Sequence, residues 1–204
     1  MPDPGRQVRG DDPRQEVLAR AAELLATEGP AALSVRRIAA EAGESTQVIY
    51  TRFGGKAGVI EGLYHEGFRR LAAALEAVPH SGDPLTDLVA VQRAYRRAAL
   101  QNPAFYAVMF GRPIPEFEPS IESRRLVWGT FGSLVEAVRS CVEAGEMVAP
   151  RGDEDLAREL WGAAHGLVSL ELAQMVVDDP CAEERFDDVI AALIAFHRPR
   201  RPPG

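Results

Sequence analysis

SVRRIAAEAGESTQVIYTRF, residues Ser34 to Phe53, decides how the rest of this chain is read. Ser34 stands where a helix N-cap belongs, and Val35, Ile38, Ala39 and Ala42 follow on one apolar face. Gly43 stops that helix, because glycine takes the left-handed turn conformation without a Cβ clash. Ser45 caps a second helix, in which Val48, Ile49 and Phe53 recur at helical spacing. Two helices of about two turns joined by a glycine-containing turn form the helix-turn-helix pattern. In that unit the second helix enters the DNA major groove while the first crosses the backbone.

The outward residues of the second helix suit that position. Thr46, Gln47, Tyr50 and Thr51 are polar, short or flat, and none is a carboxylate. Glutamine pairs bidentately with adenine, and threonine offers a hydroxyl or a methyl to a base edge. Tyr50, Arg52 and Lys56 reach for phosphates, which set register without reading sequence. Ser34, Arg36 and Ser45, at the starts of the two helices, complete the expected DNA face. Spacing alone leaves the plainer alternative open: a solvated helical hairpin of any all-α protein.

Residues 12–64, running through RQEVLARAAELLATEG to YTRFGGKAGVIEGLY, resemble the N-terminal domain of TetR-family transcription regulators. The likeness rests on Ala22 and Leu25 before Glu28-Gly29, then Ser34-Val35, Ile38-Ala39, Ala42-Gly43 and Ser45. It continues through Ile49-Tyr50 and Phe53 to Lys56 at the head of the next helix. It implies a three-helix DNA-binding unit and the start of a fourth helix. Glu44, Gln47 and Arg52 stand where the family usually has Val, Gly and His. The resemblance therefore carries over the fold and not an operator sequence.

Composition sets the frame for this reading. The chain has 204 residues, 46% hydrophobic and 26% charged, enough for a real core. Alanine is abundant and strand-like alternation is missing, so the expected class is all-α, with about nine helices. MPDPGRQVRGDDP is polar and proline-rich, with no leader-like apolar stretch, and no window suits a membrane span. A cytoplasmic protein is expected. Cys141 and Cys181 lie far apart with no second Cys or His beside either, so no metal or cofactor is expected. Both read as reduced, buried packing residues, with redox sensing as the alternative.

The net charge of −7 argues superficially against a nucleic-acid partner. Residues 1–60, however, carry 8 Lys and Arg against 8 Asp and Glu, so all the excess acid lies beyond them. What counts is the field at the DNA face. A near-neutral head predicts moderate non-specific affinity that falls with salt.

In chain order, residues 1–11 read as a disordered arm. Asp12-Pro13 opens a helix with an apolar stripe of Val17, Leu18, Ala21, Leu24 and Leu25, ended by Gly29-Pro30. After Gly54-Gly55 a long helix runs from Lys56 to about Val78, and PHSGDP is the clearest linker signal. Further helices are expected from Leu85 to about Gln101, after Pro103 through Phe110, and from about Ser120 to Ala144. Two more span Asp153 to about Val177, stopped by Asp178-Asp179-Pro180, and about Ala182 to His197. Residues 198–204 read as a disordered basic tail. The expected division is a DNA-binding domain at 12–56 and an effector-binding and dimerisation domain at 57–197.

LWGAAHGLVSLEL, with Trp161, His165 and Gly166 at W-x-x-x-H-G spacing, is similar to the WHG-type C-terminal domain of a subset of TetR-like regulators. NPAFYAVMFGRP is similar to another segment of that domain. Trp161 and His165 share one helix face. They are either plain core or the wall of a ligand cavity with His165 as its polar anchor. Tyr64, Phe68, Tyr95, Met109, Phe110, Trp128 and Phe131 supply enough aromatic and sulfur surface for either. Small residues beside Gly166, Leu167, Leu170, Ala192 and Leu193 suit a close helical interface with a second copy. The resemblance implies the same, because TetR-like proteins dimerise through their final helices, and it gives the fourth helix the task of linking pocket to DNA unit.

An enzyme is the rival class. No E-x-x-H occurs, since Gly62, Ala77, Gly162 and Ile194 stand three before the four histidines, and no nucleotide-binding or nucleophile-elbow motif is present. The function expected is a homodimeric repressor, released from a palindromic double-stranded operator by a small apolar or aromatic effector. A ligand-independent or activating regulator of the same fold is the alternative.

Overall fold

The computed structural model describes residues 13–111, 114, 117–175 and 180–199. The expected N-terminal arm lies outside them, as does most of the expected tail. Among the described residues the chain is all-helical, with nine α-helices and no strand. They are α1 (Pro13–Glu28), α2 (Val35–Glu41), α3 (Thr46–Phe53), α4 (Lys56–Glu76) and α5 (Pro84–Gln101). The rest are α6 (Pro103–Phe110), α7 (Ile121–Glu143), α8 (Asp153–Leu172) and α9 (Ala182–Phe196). A single 3₁₀ turn, Pro30–Ala32, follows α1.

The caps explain most of these limits. Ser34, Ser45, Asp83 and Ser120 each accept a backbone N–H three residues on, at the starts of α2, α3, α5 and α7. After α2, Gly43 sits at φ 64°, while Gly43 N–H bonds Ala40 O at 3.2 Å and Glu44 N–H bonds Ala39 O at 2.8 Å. This double bond to the preceding turn is the Schellman stop that sets the angle between α2 and α3.

One expected limit is corrected. Helix α8 ends at Leu172 rather than near Val177, because Gln174 adopts the left-handed conformation at φ 52°. Gln174 N–H bonds Glu171 O and Met175 N–H bonds Leu170 O, both at 3.1 Å, the same stop as after α2. Asp178 and Asp179, part of the expected stop, lie outside the described residues. The cysteine expectation splits as well. Cys141 is fully buried, its Sγ–H donating to Pro84 O at 3.2 Å, and burial pushes the thiol up to about 11. Cys181 is exposed, at the cap of α9.

Two apolar clusters organise the chain. The first joins α1, α2, α3 and the N-terminal half of α4, with Phe105 and Val108 from α6. Ile38, Ile49 and Leu63 are wholly inside it, each worth roughly 1.5–3 kcal/mol of burial. The second gathers Leu71 and Leu75 of α4 with α5, α7, α8 and α9, and Tyr106 of α6. Helix α4 runs through both.

Three glycines let its neighbours come close. A Cβ on Gly58 would stand 1.6 Å from the carbonyl oxygen of Phe53, at the end of α3. On Gly62 it would meet Leu18 of α1 at 2.9 Å, and on Gly67 the sulfur of Met109 on α6 at 2.6 Å. Glu66, also on α4, is buried and holds Arg69 and Arg70 at 2.7–2.8 Å. Arg70 also donates to Asn102 at 2.9 Å and lies 4.3 Å over the Phe105 ring, tying α4 to the α5–α6 corner. Burial would raise the Glu66 carboxyl, but the hydrogen bonds from Arg69 and Arg70 outweigh it and hold the carboxyl below its ordinary value.

Candidate nucleic-acid interface and C-terminal cavity

Helix α3 buries Ile49 and Phe53 against the first cluster and turns its other face to solvent. Thr46, Gln47, Tyr50, Thr51 and Arg52 all lie exposed along that face, with Ser45 at its start. Ser34 and Arg36, exposed at the head of α2, and Lys56, exposed at the head of α4, flank it. All nine residues expected on a DNA face are exposed. The Ser34 and Ser45 hydroxyls are already engaged as caps, so their task there is to fix the ends of α2 and α3. Gln47 Nε2 donates to Thr51 Oγ1 at 3.3 Å, an exposed contact that a base edge can replace at small cost.

Arg14 pins this helix from behind, its guanidinium 4.7 Å over the Phe53 ring and donating to Arg52 O at 3.2 Å. Sequence reasoning left Arg14 out, because a cation in a first helical turn looks like any solvated residue. Lys56 is more telling. It opens α4 beneath a glycine cap, where the helix dipole disfavours a cation, and it has no carboxylate partner among the described residues.

In the C-terminal half, α4, α5, α6, α7 and α8 line a cavity of about 300 Å³ that is partly open to solvent. Phe68, Tyr95, Phe110, Phe131 and Trp161 line it, as expected, and Trp128 lies at its rim, 61% exposed. Tyr64 and Met109 face a separate depression near Phe117 and Pro119. His165 is not part of the wall. It stands behind it, in a hydrogen-bonded cluster with Tyr95 and Tyr106. Trp161 Nε1–H donates to the Tyr95 hydroxyl at 3.4 Å, the Tyr95 and Tyr106 hydroxyls are hydrogen-bonded at 3.2 Å, and His165 Nδ1 lies 2.6 Å from the Tyr106 hydroxyl and 3.1 Å from that of Tyr95. The other ring nitrogen, Nε2, lies 3.5 Å from the Ser169 hydroxyl. Burial keeps the imidazole below its ordinary value and both tyrosine hydroxyls above theirs.

The polar groups that do line the cavity are Gln92, Thr130 and Arg158. None was singled out from sequence. The signal was available for Gln92, which lies on the stripe Leu88, Gln92, Tyr95, Ala99 that α5 buries. Arg158 is held by Asp155 at 2.9 Å and Glu154 at 2.8 Å.

A helix-turn-helix head seated on a helical body is the build of a DNA-binding regulator. Comparison with known proteins agrees. Residues 17–63 match the model of bacterial regulatory proteins of the tetR family, and residues 88–193 match that of the tetracyclin repressor-like C-terminal domain. The HTH-type transcriptional regulator Rv1816 of Mycobacterium tuberculosis is 24% identical, the match covering 91% of this chain and 95% of that protein. A Rhodococcus sp. RHA1 protein of unknown function superposes with TM-score 0.79 at 23% identity, over 95% of this chain and all of that one. The TetR-family regulator PfmR of Thermus thermophilus does so with TM-score 0.70 at 22% identity, over 91% and 99%. The chain belongs to the TetR family and is a DNA-binding transcriptional regulator.

Proposed function

We propose that this protein is a cytoplasmic, homodimeric repressor that leaves a palindromic operator when a small apolar or aromatic molecule fills the α4–α8 cavity. The observation that carries this reading is the course of α4. It begins beside the reading helix at Lys56, and its far half supplies Phe68, Leu71 and Leu75 to the cavity wall. Whatever enters the cavity pushes on the helix that seats α3. The differential fit of ligand to two α4 positions is then the coupling free energy between the sites.

Dimerisation is assigned to α8 and α9. Leu170 and Phe196 are 48% and 77% exposed, Leu167 and Leu193 are half-buried, and Ala192 is exposed beside them. A Cβ on Gly166 would meet nothing within 4 Å, which leaves room for a second helix to approach. Two copies related by a two-fold axis would place their α3 helices to read half-sites about 34 Å apart or a multiple of it. In this reading residues 12–56 read DNA and residues 57–197 take the effector and the second copy. Among the described residues no helix is long and apolar enough to cross a membrane.

The test is selection of random duplex DNA by the purified protein at physiological salt, with Tyr50→Ala as control. Enrichment of a palindrome that the control fails to recover supports the reading head and yields the operator for an effector screen. A monomer in solution that enriches nothing would end the proposal.

A further inference from the structure

Gln92 is 2% exposed, yet its Nε2 has no hydrogen-bond partner among the described residues. It is the one buried side-chain nitrogen or oxygen there in that condition. An amide left so costs its lost hydration, and a native core keeps such a group only where something else repays it. Gln92 belongs to the cavity wall, midway along α5, amid Phe68, Leu71, Val91 and Tyr95.

We propose that Gln92 selects the effector, an uncharged, mainly hydrocarbon molecule bearing one carbonyl-type acceptor, toward which the shielded Gln92 N–H turns when the cavity fills. This rests on the cavity being the effector site. The remaining wall fixes the other properties of the ligand. At about 300 Å³ the space holds on the order of ten heavy atoms, counting roughly 30 Å³ for each. The ring faces of Phe110, Phe131 and Trp161 favour a flat or aromatic body. A carboxylate is disfavoured. Among the described residues the only cation in the wall is Arg158, already paired with Glu154 and Asp155, so an entering anion would have to compete with both of those carboxylates for it. Of the other buried polar groups in the wall, Tyr95 is satisfied by Trp161 and Tyr106, and Thr130 also has a partner, so neither needs a ligand.

Three probes share one skeleton: benzylacetone (a neutral ketone), butylbenzene (no acceptor) and hydrocinnamate (an anion). The chain's two tryptophans, Trp128 and Trp161, both border the cavity, so intrinsic fluorescence reports occupancy directly. The quantity to read is the change on Gln92→Met, in which each probe's own hydration cost cancels. Benzylacetone is expected to weaken about tenfold in the variant while butylbenzene binds as well or better. The variant's melting temperature rises in the empty protein, since the orphaned amide is gone. Equal changes for ketone and hydrocarbon would overturn the role of Gln92 while leaving the cavity an effector site. Tighter binding of hydrocinnamate than of benzylacetone by the natural protein would overturn the uncharged ligand. A lowered melting temperature would mean that the amide is satisfied when the cavity is empty, and would sink the argument at its source. Binding of none of the three, with operator binding intact, would remove the effector cavity itself and leave the DNA-binding regulator standing.

Discussion

Lys56 and Gln47 separate two ways a residue serves at a DNA surface. Lys56→Ala is expected to weaken binding to all sequences alike and to flatten the dependence of log K on log salt by about one unit. The same change relieves a cation at the positive end of α4, so it raises the melting temperature slightly. Loss of stability together with an unchanged salt slope would show that Lys56 is structural. Gln47→Ala acts differently, costing about 1–3 kcal/mol at one base pair and relaxing preference there. Equal loss on every duplex would contradict base reading. His165 has its own signature. Its folded value is depressed below 6.5, so the unfolded chain takes up more protons, and stability is complete above 6.5 and declines as pH falls below it. Melting curves on either side of that pH should show the decline, and His165→Asn, which cannot titrate, should lack it. Sequence made the caps Ser34 and Ser45 plain because a cap is a local device. Gln92 and Arg14 were hidden because their meaning lies in what other helices bring to them.

Elements were legible wherever their ends carried a chemical mark. Helices α2, α3, α5 and α7 begin at Ser or Asp, and α2 and α7 end shortly before glycine. Helix α8 had no such mark, because Gln174 takes the left-handed conformation that glycine usually takes. That position stores strain. Gln174→Gly is expected to raise stability by a few tenths to about 1 kcal/mol, the relief of the Cβ clash less glycine's greater freedom when unfolded. Urea denaturation measures it, and a destabilised variant would mean that the glutamine side chain has a compensating contact.

At the scale of the whole molecule, the cavity divides what sequence could and could not settle. The aromatic residues of α4 to α8 were evident as a set, but a packed core and a lined cavity use the same side chains, and only the space between them distinguishes the two. Trp161 illustrates the difference. Half-buried and bordering empty space, it should lose about 2 kcal/mol on Trp161→Ala, below the roughly 3–5 of a tightly packed aromatic. Thermal unfolding decides between the two. The residues of α8 and α9 were likewise chosen for their small size and apolarity, and analytical ultracentrifugation of Leu170→Asp should show more monomer than the natural chain.

The three glycines of α4 have a mechanical consequence. At Gly58, Gly62 and Gly67 the bare helix backbone bears on the end of α3, on the Leu18 side chain and on the Met109 side chain. Packed side chains between two helices also transmit strain, but each interposed rotamer is one more joint through which a shift must pass. At Gly58 no such joint intervenes, and α4 rests directly on the last carbonyl of the reading helix. In the proposed mechanism a small slide of α4 would therefore reach α3 as a push along a rod rather than a squeeze through a cushion.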